Sequence, residues 1–159
     1  MTLPPRLRGA LRAPSHWARL SRHERIALVA SIALLPAARL LLWCVGFARA
    51  AAVFGRLANP AARADAARLS RADGDALAIA TFRMVRLAAR WTVCGTNCLP
   101  RSLVLWTLLR RQGLEPSLRF GARKHGGDFE AHAWLELGTL VLDTESADHL
   151  PFAPFVVAS

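Results

Sequence analysis

The spacing of apolar residues changes along this 159-residue chain. Up to about residue 113 they recur at helical intervals, and from Ser117 onward they alternate with other residues, as in half-buried strands. Three runs have this strand-like character, separated by Gly126-Gly127 and by Leu137-Gly138: Ser117–Ala122, Phe129–Leu137 and Thr139–Asp143. Helices first, followed by a helix packed on an antiparallel sheet, predict an α+β fold.

The chain length predicts one compact domain, and its composition divides that domain into three regions. Residues 1–20 are basic, contain prolines and have no sustained period, so we expect a flexible basic arm. Residues 21–91 are predicted to form a helical N-terminal region, and residues 92–159 the core that carries the chemistry. Ser21 and Glu24 have the spacing of a capping box, which predicts the start of the first helix.

Three helices are predicted from start, stop and breaker residues. Pro36 is expected to kink or divide the first helix, whose second piece ends before Asn59. The second helix covers about Asp75–Trp91, and the third covers Cys98–Arg111, ended by Gly113 in a left-handed cap. The residues of the second helix predicted to face the core are Leu77, Ile79, Phe82, Val85 and Leu87.

The chain is strongly basic, with a formal net charge of +10 and a pI near 11.5. Such a charge raises the question of nucleic acid as a partner. However, Lys124 is the only lysine, the arginines are scattered through Ala- and Leu-rich sequence, and no nucleic-acid-binding motif is present. We therefore predict no nucleic-acid partner, while the same charge would favour an acidic peptide.

Cysteine usage indicates the compartment. Cys44, Cys94 and Cys98 are an odd number of cysteines, and the start of the chain lacks the pattern of a secretory signal. A reducing environment fits best, so the expected location is cytoplasmic. Cys44, between Trp43 and Val45, is predicted to be a core residue.

The longest apolar stretch, Ile26–Ala48, bears on membrane association. It is interrupted by Pro36 and Arg39, and so is expected to fall short of the roughly 20 uninterrupted residues of a spanning helix. Its apolar bias leaves a peripheral membrane contact open. One alternative interpretation of the whole chain is therefore a non-catalytic helical protein, membrane-associated or an adaptor.

Cys98 has the position expected of a reactive thiol. If Asn97 or Thr96 is the N-cap, Cys98 falls at the start of the third helix, where unpaired N–H groups and the helix dipole stabilise a thiolate. Pro100 fits the first turn, where its missing N–H costs little. The same N–H groups can hold an oxyanion formed next to the sulfur.

His132 lies on the more polar face of its predicted strand. If Leu137-Gly138 is a two-residue hairpin loop, Glu136 pairs with Thr139 and His132 with Asp143. Opposed residues lie about 5 Å apart, so the carboxylate can orient the imidazole. Cys98 as nucleophile, His132 as base and Asp143 as orienter then form a triad.

Other interpretations of these residues remain open. A slip of the hairpin register makes Glu145 the substitute orienter. Trp134 is interpreted as a packing residue beside the site. A zinc site is the main rival, and its four candidate ligands have a spacing that is not typical of zinc: Cys94, Cys98, His125 and His132.

The most informative motifs lie between residues 98 and 143. They are Cys-Leu-Pro-Arg-Ser-Leu from Cys98, Leu-Arg-Arg-Gln-Gly at 109–113, Phe-Gly at 120–121, Glu-Ala-His-Ala-Trp-Leu-Glu at 130–136 and Val-Leu-Asp at 141–143. Together they resemble the transglutaminase-like leader peptidases of lasso-peptide biosynthesis. The helical front of the chain is similar to that family only in style.

The resemblance implies a fold like papain and transglutaminase, and a triad that falls on Cys98, His132 and Asp143. It implies a cysteine peptidase that removes the leader from a ribosomal precursor peptide, without a cofactor or metal. A macrolactam-forming cyclase would then close the ring. Because the helices leave no room before them for a leader-binding domain, we expect the stand-alone form, which needs a separate leader-recognition protein.

Overall fold

The computed structural model describes residues 17, 19–58, 70–92, 98–125, 128–142 and 153–155, with the backbone alone described at 122–125, 128–130 and 153–155. Three long helices precede four strands in this part of the chain, and the predicted α+β fold is confirmed. The predicted arm, residues 1–20, lies almost wholly outside the described residues. The elements are α1 (Arg22–Leu57), α2 (Arg71–Trp91), α3 (Cys98–Arg111), β1 (Ser117–His125), β2 (Asp128–Leu137), β3 (Leu140–Leu142) and β4 (Ala153–Phe155).

Helix α1 begins with the predicted capping box. The Ser21 hydroxyl accepts a hydrogen bond from the Glu24 N–H at 3.2 Å, and the Glu24 carboxylate accepts one from the Ser21 N–H at 2.8 Å. Bonding to the Ser21 backbone and side chain holds the pKa of Glu24 below its ordinary value. Two donors that the first helical turn leaves without partners are satisfied in this way.

Pro36 was expected to kink or divide α1, but the break in the helix lies at Gly46 and Pro36 does not divide it. Gly46 has φ 77° and ψ 175°, whereas Pro36 lies within the helical run. Only a residue without a Cβ adopts that backbone conformation at little cost. A proline in a helix leaves the carbonyl four residues earlier, here that of Ile32, without its N–H partner. Pro36 and Ile32 are both exposed, so this carbonyl is on the solvent side.

Helix α2 starts earlier than predicted. Ser70 is its N-cap and accepts a hydrogen bond from the Asp73 N–H at 3.1 Å, so the helix begins at Arg71 rather than Asp75. Of the residues predicted to face the core, Val85 is buried and the other four are only partly buried. Small side chains make up most of the buried face, because they allow the neighbouring helices to approach closely: Gly74, Ala78, Thr81, Met84, Val85, Ala88 and Ala89.

Helix α3 has the predicted bounds and the predicted C-terminal cap. Gly113 has φ 82°. Its N–H donates to the Arg110 carbonyl at 3.0 Å, and the Leu114 N–H donates to the Leu109 carbonyl at 3.1 Å. These two bonds define a Schellman motif, which fixes where α3 stops and β1 follows.

The four strands form one antiparallel sheet in the order β3-β2-β1-β4. β4 was not predicted; it pairs with β1 and places Pro154 opposite Gly121. On the other side of β1, Gly121 lies opposite His132 of β2. The sheet therefore places His132 on an inner strand, next to a residue without a side chain.

The predicted register of the β2–β3 hairpin is wrong by two residues. Glu136 pairs with Val141 rather than Thr139, and Leu137 with Leu140, so the loop is Gly138-Thr139. Gly138 has φ 59°, the left-handed conformation that tight hairpin turns require, and this conformation places the glycine inside the loop. A shift of two residues keeps every side chain on its predicted face of the sheet.

The helices pack around a partly buried polar cluster as well as an apolar core. The Thr81 hydroxyl of α2 donates a hydrogen bond to the Leu77 carbonyl at 2.9 Å and accepts one from the Gln112 side-chain amide at 3.0 Å. The Nε2 atom of His23 lies 3.3 Å from the Thr81 hydroxyl. This cluster joins α1, α2 and the end of α3, whose leucines are the centre of the core.

Cys44 is exposed, so its prediction as a core residue is wrong. Trp43 beside it is 84% exposed. In the described part of the chain, α1 is the one helix whose length and composition would allow it to cross a membrane, a test that core helices of soluble proteins also pass. In its most apolar 18-residue window 22% is buried, so α1 differs from an enclosed core helix.

Candidate active site

Cys98 is the first residue of α3 and is partly exposed. The first turn of α3 contains no acidic residue, and its last turn carries Arg110 and Arg111, which suit the negative end of the helix dipole. Pro100 is buried in the first turn. The predicted N-cap residues, Thr96 and Asn97, lie outside the described residues. A thiol at this position faces the positive end of the helix dipole.

Two residues of α3, one turn apart, contact the β2 backbone on either side of His132. The Cys98 sulfur lies 4.0 Å from the Ala131 carbonyl oxygen, within range of a weak S–H donor. The Ser102 hydroxyl donates to the Ala133 carbonyl oxygen at 2.8 Å, and Ser102 is buried. The start of α3 is therefore fastened to the strand segment that carries His132.

This contact is made where the described pairing between β2 and β3 ends. β3 pairs with Leu135 and Leu137 but not with the preceding residues of β2. Carbonyls of every second strand residue point to the same side, so the Ala133 carbonyl points to the same side of β2 as those of Leu135 and Leu137. Ser102 thus satisfies the Ala133 carbonyl just beyond the described β2–β3 pairing.

The His132 ring is buried, with 3% exposure. It stacks on the Trp134 indole, with ring centroids 5.9 Å apart and planes inclined by 16°. Residues two apart on a strand share a face, so Trp134 restricts the rotation of the imidazole from its own strand. Trp134 is thus placed beside the site, as the sequence predicted.

A hydrogen-bonded chain holds Trp134 in turn. Its indole N–H donates to Glu136 at 3.1 Å, and Arg119 of β1 donates to the other Glu136 oxygen at 2.9 Å. The Trp134 N–H, followed by Arg119, lowers the pKa of Glu136 against the opposing effect of desolvation. Arg119, Glu136 and Trp134 together fix the ring that packs against His132. The sequence did not single out Glu136 or Arg119 for any role.

Asp143 lies outside the described residues. β3 runs antiparallel to β2, so its direction leads from Leu140 toward the Trp134 and His132 end of β2, and Asp143 is the next residue after Leu142. In the observed register Leu142 pairs with Leu135, so the hairpin register from which the pairing of His132 with Asp143 was inferred is wrong, and the pairing itself lies outside the described residues. Glu145 also lies outside the described residues.

The residues of the rival zinc site are described only in part. Cys94 and the side chain of His125 are outside the described residues, whereas Cys98 and His132 are within them. Within the described part of the chain, no group of three or more His, Cys, Asp or Glu side chains could hold a metal ion.

Ser102 is the site residue that sequence reasoning missed. Its signal was available, because Cys98 and Ser102 are four residues apart and so share one face of α3. A hydroxyl one turn along the helix from the thiol needs a hydrogen-bond acceptor if it is buried. The acceptor, a carbonyl next to His132, could only be found from the structure.

Cys98 at the start of a helix contacts the residue before a strand histidine, in an α+β fold, and this is an arrangement that thiol-dependent enzymes use. A family model described as the transglutaminase-like superfamily matches residues 41–157. The chain belongs to this superfamily, which includes cysteine peptidases. Neither a curated protein nor a solved structure matches the chain significantly.

Proposed function

We propose that this protein is a cysteine peptidase with Cys98 as nucleophile and His132 as general base. The observation that supports it most is the contact of the Cys98 sulfur with Ala131, the residue before His132, at the start of α3. This contact supports the proposal because separate elements bring the thiol next to the strand position that precedes the imidazole, and a nucleophile and its base must lie close together.

The reaction proceeds in two steps. The Cys98 thiol gives its proton to His132, and the sulfur attacks the carbonyl carbon of a peptide bond. The C–N bond breaks, the amine leaves with the proton from the imidazolium, and a thioester remains. Water then attacks the thioester with His132 as base, which releases the carboxylate and restores the thiol.

The backbone N–H groups of Cys98 and Leu99 are proposed as oxyanion donors. They belong to the first turn of α3, whose N–H groups have no partner within the helix. Pro100 has no N–H and contributes no donor. Donors fixed before the reaction stabilise the charge that develops on the carbonyl oxygen.

Asp143 is proposed as the residue that orients His132. The direction of β3 supports this assignment, because β3 runs toward the His132 end of β2. Leu142 is the residue before Asp143. Continuing the observed register by three positions from Leu135–Leu142 would set Glu145 opposite His132, so Glu145 is the competing orienter. Loss of activity in Glu145→Gln, with Asp143→Asn nearly as active as the wild type, would transfer the role to Glu145.

The proposed substrate is the leader segment of a lasso-peptide precursor, on the strength of the sequence motifs at 98–143. On this proposal the protein acts in the cytoplasm with a separate leader-recognition protein and before a macrolactam-forming cyclase. The excess of basic residues would favour an acidic precursor.

Two experiments test the function, the first without any substrate. Iodoacetamide should alkylate Cys98 at least about tenfold faster than the more exposed Cys44, and His132→Ala should reduce this difference. Equal rates at the two cysteines would favour the non-catalytic adaptor. Second, Cys98→Ala should abolish cleavage of a lasso-peptide precursor, assayed together with a leader-recognition protein. The control Cys44→Ala should cleave normally, and cleavage retained by Cys98→Ala would overturn the proposal.

A further inference from the structure

An exposed apolar face runs along the first part of α1. We call it the outer face, and its residues are Ile26, Val29, Ile32, Pro36, Leu40 and Trp43. Four members are 55–84% exposed, namely Ile26 (59%), Val29 (55%), Leu40 (59%) and Trp43 (84%). They recur at three- and four-residue steps, so they lie on one side of the helix over about 25 Å, at 1.5 Å per residue.

The opposite face of the same helix is part of the protein core. Ala27, Leu28, Leu35 and Ala38 are buried against the other helices. Packing within the chain therefore explains one apolar face of α1 and leaves the outer face unexplained. A soluble protein rarely exposes a continuous apolar strip of this length unless it binds something.

The distribution of charge indicates what that partner is. Residues 1–58 contain nine of the 21 basic residues and one of the 11 acidic residues, which gives +8 of the total net charge of +10. On α1 itself, Arg22 lies four residues before Ile26 on the same side, and Arg39 and Arg49 are exposed. An apolar strip bordered by arginines, with a tryptophan near one end, is the composition of a helix that lies in the interface of an anionic membrane.

We propose that the outer face of α1 docks on the surface of an anionic lipid bilayer, with the helix axis in the plane of the membrane. The buried face of α1 stays packed on the protein, so the helix lies on the bilayer without crossing it. Arg39 is long enough to keep its guanidinium at the phosphates while Leu40 and Trp43 enter the acyl boundary. This proposal is independent of the peptidase activity.

Co-sedimentation of the full chain with vesicles tests the proposal. Binding to vesicles of phosphatidylcholine mixed with phosphatidylglycerol should exceed binding to phosphatidylcholine alone, and it should weaken with added salt. Trp43→Ser combined with Leu40→Ser should weaken binding by at least about tenfold. Trp91→Ser is the matched control, because Trp91 is a 65% exposed tryptophan at the end of α2.

Four outcomes would overturn the proposal. The first is a wild type that does not bind anionic vesicles, as expected if residues 1–16 cover the outer face. The second is an equal loss of binding in the control and the double variant. The third is binding without preference for anionic lipid. The last is a wild-type dimer in solution that the double variant converts to a monomer, which would assign the outer face to a second copy of the chain.

Discussion

Helices α1 and α3 are both rich in apolar residues but are used in different ways. Eight of the 14 residues of α3 are buried, against seven of the 36 residues of α1. Helix α3 is enclosed by α1, α2 and the sheet, and only its tip reaches the candidate site. Helix α1 covers the core with one face and leaves the other exposed. Enclosure holds the thiol in place, whereas exposure leaves a surface for a partner.

Truncating one leucine in each helix tests this difference between α1 and α3. Leu109→Ala in α3 should lower the free energy of unfolding by about 2–5 kcal/mol, because Leu109 is fully buried and a cavity remains. Leu40→Ala in α1 should change it by less than about 0.5 kcal/mol. Urea unfolding of both variants measures the difference. Similar losses would mean that the outer face of α1 is covered in solution.

A second prediction concerns the fastening of α3 to β2. Ser102→Ala leaves the buried Ala133 carbonyl without its hydroxyl donor, so it should lower the free energy of unfolding by about 1–3 kcal/mol. The alkylation rate of Cys98 should fall by more than the loss of folded protein explains, because the start of α3 would no longer be held against the β2 segment that carries His132. The measurement is alkylation of Cys98 under conditions where the variant is fully folded.

Thr107→Val is the control for that variant. Thr107 is also a buried hydroxyl of α3, but it donates to the Leu103 carbonyl within the same helix at 2.9 Å. Its loss should leave the alkylation rate of Cys98 unchanged. If both variants slow alkylation alike, Ser102 has no specific role in positioning the thiol.

A third prediction concerns the break in α1. Gly46→Ala should destabilise the protein by about 1–2 kcal/mol, because a φ of 77° is costly for a residue with a Cβ. No atom lies within 4 Å of the added methyl group, so the cost comes from the backbone alone. Thermal unfolding tests this value. A stabilised variant would show that α1 can continue as a straight helix through residue 46.

Local signals predicted the parts of the fold that depend on neighbouring residues. The capping box at Ser21, the bounds of α3 and the left-handed cap at Gly113 were correct because each depends on residues within one turn. The break at Gly46 was missed because a glycine in an apolar run has no local signal, while Pro36 has a strong one. Strand β4 was missed because a strand of three residues has too little sequence to show alternation.

The candidate site was only partly accessible to the same reasoning. The helix-start position of Cys98 and the face of His132 follow from periodicity, which a sequence carries directly. The contact of α3 with Ala131 and Ala133 depends on how α3 packs against β2, and that is a property of tertiary packing. The hairpin register failed because Gly138 was assigned to the second loop position instead of the first.

The smallest expected effect concerns the chain that holds Trp134 beside His132. The Trp134 N–H is the largest single cause of the lowered pKa of Glu136, and Arg119 lowers it through both a hydrogen bond and its charge, so Trp134→Phe and Arg119→Gln should each raise that pKa. Because the folded state lowers this pKa, the carboxylate stabilises the protein above its unfolded-state pKa, and the contribution disappears as the pH falls through the folded value. The ion pair between Arg119 and Glu136 is partly exposed, so Glu136→Gln should lower the free energy of unfolding by at most about 1 kcal/mol near neutral pH and should not change it in acid. An NMR titration of the Glu136 carboxyl carbon in the two variants measures both rises, and an unchanged pKa in Trp134→Phe would show that the ion pair, and not the indole, holds this carboxylate.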